Sequence, residues 1–141
     1  MQRGGWDDDD TDGYVHIMGG ETARLQSLAD HGDAVIARRR HYGEFFGEIP
    51  LPENFGLVVG NCQAESLRLV IASDALPAIR VPAVHELTAT DAERLHVLLA
   101  EAAFLVAQPI RDDYRDLPLG TGQLRASLPP AARLVTVPAV R

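Results

Sequence analysis

The tetrapeptide Gly60-Asn61-Cys62-Gln63 holds the only cysteine of the chain, between a short apolar stretch and the first turn of an amphipathic one. A thiol placed where a strand hands over to a helix lies among free backbone amides and at the positive end of the helix dipole. Both favour an anion there, a thiolate included. A thiolate in that position is a competent nucleophile. The amides of Cys62 and Gln63 can form part of an oxyanion hole, and Gln108, at the end of a second apolar stretch, can add a side-chain donor. The competing reading is an inert buried thiol, the commoner state of a lone cysteine. A thiol nucleophile also wants a base, and His85 and His96 are the only histidines after Cys62. His96 falls between Leu95 and Val97 in a helical stretch and reads as a surface helix residue. His85 follows a predicted strand and is the better candidate, with an ordinary loop histidine as its alternative.

These residues need elements to position them. Residues 55–59 are short, apolar and β-branched, which predicts a buried strand. Leu67, Val70 and Ile71 recur at helical spacing and predict a helix over residues 63–73. A second strand is expected at 79–81, between Pro77 and Pro82. Thr90-Asp91-Ala92-Glu93 reads as a capping box opening a helix with an apolar stripe of Leu95, Leu98, Leu99 and Ala102. A third strand is expected at 103–107, a short helix at 122–128 before Pro129-Pro130, and a fourth strand at 134–137. Strands alternating with helices argue for βαβ units and a parallel sheet. In such a sheet ligands bind at the carboxyl ends of the strands, where Cys62 stands.

The organisation expected is an acidic, disordered tail over residues 1–20, a helical and then basic-aromatic arm over 21–53, and the α/β domain over 54–141. Four consecutive aspartates at 7–10 read as part of a solvated tail, with cation binding as the minor alternative. His31-Gly32-Asp33 is expected to interrupt the helix of the arm. The sheet is expected to be incomplete at its carboxyl end, because the chain stops just after the fourth strand and no later element covers that edge. A further carboxyl-terminal region or a partner, a homo-oligomer included, would cover it.

All 13 basic residues are arginine, so a lysine nucleophile, a Schiff base and a phosphate-loop lysine are excluded. Net charge is −7, concentrated as −6 over residues 1–53 against −1 over 54–141, which disfavours nonspecific binding to nucleic acid or anionic lipid. No apolar run approaches the ~18 residues of a membrane span. The expectation is a cytoplasmic protein with no metal.

Gly60-Asn61-Cys62-Gln63-Ala64-Glu65 resembles the first block of the WcbI-type polysaccharide biosynthesis family. The likeness continues through Val81-Pro82-Ala83-Val84-His85-Glu86-Leu87, Gln108-Pro109-Ile110-Arg111-Asp112-Asp113-Tyr114-Arg115 and Leu119-Gly120-Thr121. It implies a flavodoxin-like or SGNH-like three-layer α/β fold and a bacterial enzyme of capsule assembly. It further implies transfer of an acyl group, acetyl from coenzyme A, to a sugar or polysaccharide precursor. An esterase of the same fold, or a non-catalytic coenzyme-binding module, are the alternatives. In the SGNH arrangement a serine after the first strand attacks an acyl carbonyl, and Cys62 occupies the corresponding place, with Asn61, Gln63 and Gln108 organising the oxyanion. The Asp-x-x-His block that supplies the base in SGNH-type domains has no counterpart after Cys62, which leaves His85 as the substitute.

On this reading the anionic end of coenzyme A has several candidate contacts. Arg111, Tyr114 and Arg115 form a charged loop after the third strand, and a guanidinium recognises phosphate bidentately. Internal ion pairs within an exposed loop are the alternative. Arg40, His41 and Tyr42 can meet the same ligand, with Tyr42 or Phe45 stacking on adenine, or the arginines can pack against the acidic front half. Thr121, between Gly120 and Gly122, opens either a phosphate-binding turn or a capped helix.

Overall fold

Val58 and Val59 of the first apolar stretch, and Leu105 and Val106 of the third, are β-branched or bulky residues that suit a pleated surface buried on both sides. In the computed structural model they form the two central strands of a four-stranded sheet. The structure describes the backbone of residues 3–139 and the side chains of residues 22–139. The strands are β1 (Gly56–Val59), β2 (Ala78–Ile79), β3 (Phe104–Ala107) and β4 (Arg133–Thr136). Their order is β2-β1-β3-β4 and every pairing is parallel, with Leu57 opposite Ile79 and Leu105, and Leu105 opposite Leu134. This is the strand order of a flavodoxin-like doubly wound sheet.

Period-two alternation sends the two sides of each strand to different cores. Leu57, Val59, Ile79, Leu105 and Ala107 join Leu95, Leu98 and Leu99 of α4 (Ala89–Leu99) and Leu124 of α5 (Thr121–Ala126) in the larger one. Val58, Ala78 and Val106 face the other way, onto Ala64, Leu67 and Ile71 of α3 (Gln63–Ile71). The result is three layers, helix on sheet on helix, as expected. β4 forms one edge, and its Val135 is 52% exposed.

The chain forms two compact units, Met1–Arg38 and Arg39–Arg141. The first is carried by α1 (Arg3–His41), whose side chains at Leu25, Leu28, Val35 and Ile36 are exposed. Residues 3–20, expected to be a disordered tail, lie within α1, and the side chains of the tetra-aspartate lie outside those described. The expected break at His31-Gly32-Asp33 does not occur. A lone helical glycine costs only about 1 kcal/mol against alanine, and Ala29, Ala34 and Ala37 around it favour helix.

The second unit takes in most of the basic-aromatic arm. α2 (Gly43–Phe46) buries Phe45 completely in the larger core, and Arg94 Nε of α4 donates to the Phe45 carbonyl at 2.8 Å. Gly47 ends α2 in the left-handed region (φ 80°), which suits glycine. The boundary expected at residue 54 therefore lies inside this unit. A four-residue helix is too short to show a period, and the burial of Phe45 depends on a helix far along the chain.

Smaller differences concern element ends. α4 is capped by Thr88 rather than Thr90: Asp91 N donates to Thr88 Oγ1 at 3.2 Å, and Thr88 N donates to Asp91 Oδ2 at 3.0 Å. Leu87 and Ala92 flank this box in the core, as a hydrophobic staple requires. α3 stops at Ile71, and β2 is only two residues long.

Candidate functional site

With all strands parallel, Gly60 and Gln108 leave β1 and β3 on the same edge of the sheet, and β1 and β3 are the neighbours between which a 2-1-3-4 order reverses direction. They are in contact there. A Cβ on Gly60 would come within 2.7 Å of Gln108 Cδ, so a larger residue there would displace the glutamine side chain. Gln108 is 7% exposed and its amide is bonded at both ends. Asn61 N donates to Gln108 Oε1 at 2.7 Å, and Gln108 Nε2 donates to Gln63 Oε1 at 3.3 Å. Gln63 N in turn donates to Asn61 Oδ1 at 2.8 Å, and Ala64 N to the Asn61 carbonyl at 3.0 Å. Asn61 thus caps α3 with its side chain, and Cys62, which makes no side-chain cap bond, is left exposed at the helix start.

Cys62 opens into a cleft of about 220 Å³, lined also by His41, Tyr42, Asn61, Glu65, Arg80 and His85. Five of the expected site residues, Asn61, Cys62, His85, His41 and Tyr42, therefore share one cavity. His41 and Tyr42 meet edge to face, with ring centroids 4.5 Å apart. His85 sits in a 3-10 turn (Val84–Glu86) tied to the end of β1 by Val84 N donating to the Gly60 carbonyl at 2.8 Å.

Arg80 is a wall of this cleft that sequence reasoning missed. Its Nε donates to Glu65 Oε1 at 2.9 Å, and its Nη1 lies 3.3 Å from His41 Nδ1. Arg68 grips the same carboxylate with two bonds of 2.8 Å, and its Nη1 donates to the Ala78 carbonyl at 3.0 Å. The Arg68 hydrogen bonds hold the Glu65 carboxyl below its ordinary range, against the opposing effect of burial, and Arg80 adds to the depression. Glu65 in turn raises the Arg68 guanidinium. Glu44, by contrast, is pushed up by burial, with Arg68 partly offsetting it. The Glu65–Arg68 spacing of three on a helix was a legible signal. Arg80 was not, because its place depends on the pairing of β2 with β1.

A second cleft of about 320 Å³ adjoins the first across Asn61 and is lined by Gln108, Ile110, Arg111 and Tyr114. Its loop is strained: Asp113, Arg115 and Asp116 all have φ between 54° and 62°. Left-handed non-glycine residues cost about 1 kcal/mol each or more. Internal bonds hold them. Gln123 Oε1 accepts from Asp113 N and from Gly120 N, both at 2.9 Å, and Gln123 Nε2 donates to Asp113 Oδ1 at 2.8 Å. Arg115 Nη1 donates to the His85 carbonyl, joining this loop to the first cleft.

Thr121 serves the fold. Its hydroxyl donates to the Gln108 carbonyl at 3.2 Å and accepts from Ile110 N at 2.8 Å, while Thr121 N is taken by the Ile110 carbonyl. The amides of the Gly120-Thr121 turn thus have acceptors within the protein, and the cap of α5 comes from Gln123. Arg40, near the end of α1, is exposed and lines neither cleft. His96 is a bridge: its Nε2 lies 2.7 Å from the Pro118 carbonyl and its Nδ1 2.5 Å from Ser127 Oγ. Among the described residues no group of three acidic, histidine or cysteine side chains could hold a metal ion, and no helix is long and apolar enough to cross a membrane.

A doubly wound parallel sheet with an exposed thiol and two clefts at its switch point defines an α/β domain of the flavodoxin-like type. Residues 55–141 match the family model of the polysaccharide biosynthesis enzyme WcbI, and the chain belongs to that family. A solved structure of WcbI shares 22% identity with a TM-score of 0.53, over 61% of this chain and 30% of that one. It is described as a novel polysaccharide biosynthesis enzyme, native and without a disulfide bond between coenzyme A and one of its cysteines. This chain thus matches less than a third of that protein's length. No curated protein matches the chain.

Proposed function

We propose that this domain forms the acyl site of a bacterial, coenzyme A-dependent acyltransferase of capsule polysaccharide biosynthesis, acetyl being the group moved and a sugar hydroxyl its acceptor. The observation that carries the reading is the exposed Cys62 in one cleft with His41, Tyr42, Arg80 and His85, at the switch point of the sheet. The solved WcbI structure, whose description pairs coenzyme A with a cysteine, supports the choice of ligand.

Cys62 Sγ gives up its proton and attacks the thioester carbonyl. A new carbon–sulfur bond forms, the bond from the carbonyl to the coenzyme sulfur breaks, and the proton goes to the departing thiolate. The sugar hydroxyl then attacks the acyl-Cys62, its proton passing to His85, and Cys62 leaves as a thiolate. His41, Tyr42 and Arg80 are suited to the polar and aromatic parts of the coenzyme, and Arg111 and Tyr114 of the second cleft to its phosphates or to a nucleotide-sugar. Arg115 acts through its hold on the His85 turn. A SGNH-like relationship and a cytoplasmic location, where acetyl-coenzyme A is made, fit the same reading.

The test is turnover of acetyl-coenzyme A with and without a sugar acceptor, in the wild type and in Cys62→Ala. Acceptor-dependent release of free thiol that disappears in the variant is the expected result. Release independent of any acceptor would assign hydrolysis instead, and no release with either protein would leave a coenzyme-binding module.

A further inference from the structure

The turn that carries Cys62 has four consecutive amides, and three of them have internal acceptors. Asn61 N bonds Gln108 Oε1, Gln63 N bonds Asn61 Oδ1, and Ala64 N bonds the Asn61 carbonyl. Among the described residues the Cys62 N–H has no acceptor. Gln108 sits beneath this turn, 7% exposed, with both ends of its side-chain amide bonded to residues of the turn. A buried amide bonded at both its oxygen and its nitrogen is held in one orientation. Its backbone is fixed as well, through Gln108 N to the Val59 carbonyl at 3.0 Å and Thr121 Oγ1 to the Gln108 carbonyl.

We propose that Gln108 is a positioning residue for Cys62, holding Asn61 and Gln63 so that the Cys62 N–H is the one amide of the turn turned over to a developing oxyanion. The Gln63 backbone amide, already bonded to Asn61 Oδ1, is not part of that donor set. This rests on the acyl-transfer reading above. The reason for a glutamine is geometric: from the end of β3 its side chain crosses Gly60, filling the space a Cβ would take, and reaches an N–H donor and a carbonyl acceptor on either side of the cysteine. A preorganised donor matters because misplacing a reacting group by about 1 Å can cost a hundredfold in rate.

The test compares Gln108→Leu, which keeps bulk over Gly60 but removes the amide, with Gln108→Glu, which keeps an acceptor for Asn61 N. Amide exchange at Asn61, alkylation of Cys62 by iodoacetamide, and kcat and KM for acetyl-coenzyme A are read in each, beside the melting temperature. In Gln108→Leu, Asn61 exchange should accelerate and kcat should fall about tenfold or more with KM unchanged. Gln108→Glu should restore the Asn61 protection and part of kcat. A folded Gln108→Leu with wild-type Asn61 exchange and wild-type Cys62 alkylation would overturn the proposal. So would a loss of kcat that Gln108→Glu does not relieve. Should Gln108→Leu not fold, Gln108→Glu against Gln63→Ala reads the same two bonds separately. Exchange and alkylation need no substrate, so an inactive wild type would count against acyl transfer alone.

Discussion

Gln108 and Gly60 interlock at the switch point of the sheet: the glutamine side chain lies over the glycine Cα, in the space a Cβ would fill, and there receives the amide of Asn61 at 2.7 Å. One residue is at the end of β3 and the other at the end of β1, so the contact is fixed by the parallel pairing of Val59 with Ala107. Gly60→Ala should force Gln108 aside and destabilise the domain by about 1–3 kcal/mol, the usual range for overpacking a tight site. Urea unfolding measures that loss. A second effect, faster amide exchange at Asn61, should accompany it.

Cys62 contributes little to stability. It is exposed and makes no capping bond, so Cys62→Ala should change the unfolding free energy by less than about 0.5 kcal/mol while abolishing acceptor-dependent acyl transfer. Circular dichroism and turnover on one preparation separate the two. A variant that retains transfer would make the thiol a bystander in its cleft.

Acid stability should depend on Glu65. Its native carboxyl titrates below its ordinary value of 4.5, chiefly through Arg68. The unfolded chain therefore binds the proton first as pH falls. The stabilisation is present above that ordinary value and is lost as pH drops through the lower native one. Glu65→Gln should cost about 1 kcal/mol at neutral pH, after discounting for solvent screening of a pair one-third exposed, and nothing at strongly acid pH. Glu44 has the opposite sign: raised by burial, it favours the fold below its ordinary value and loses that contribution as pH rises. Glu44→Gln should therefore be neutral or stabilising at pH 7. Unfolding curves at several pH values read both.

Phe45→Ala should cost about 3–5 kcal/mol, because the ring is fully buried among α4 and the sheet. A melting curve that barely moved would return residues 42–53 to the status of an arm.

His96 and Ser127 offer a control away from the clefts. Ser127→Ala removes the hydroxyl beside His96 Nδ1 and should cost about 1 kcal/mol with Cys62 alkylation unaltered.

The sequence alone determined the alternation of strands and helices, because runs such as Leu57-Val58-Val59 and Leu105-Val106-Ala107 are apolar at every position and the stretches between them carry a helical period. It also determined that Cys62 would stand at a strand-to-helix junction, since both neighbouring patterns are local. The local pattern points to a cap at Thr90, and tertiary packing decides otherwise: Leu87 belongs to the core, and that fixes the cap at Thr88. Only the tertiary structure brought Arg80 to the cysteine and folded Phe45 into the core. It also made Gln108 an acceptor for Asn61. Each of these depends on contacts between residues far apart in the chain, through strand order and register or, for Phe45, through α4, which no local period or propensity encodes.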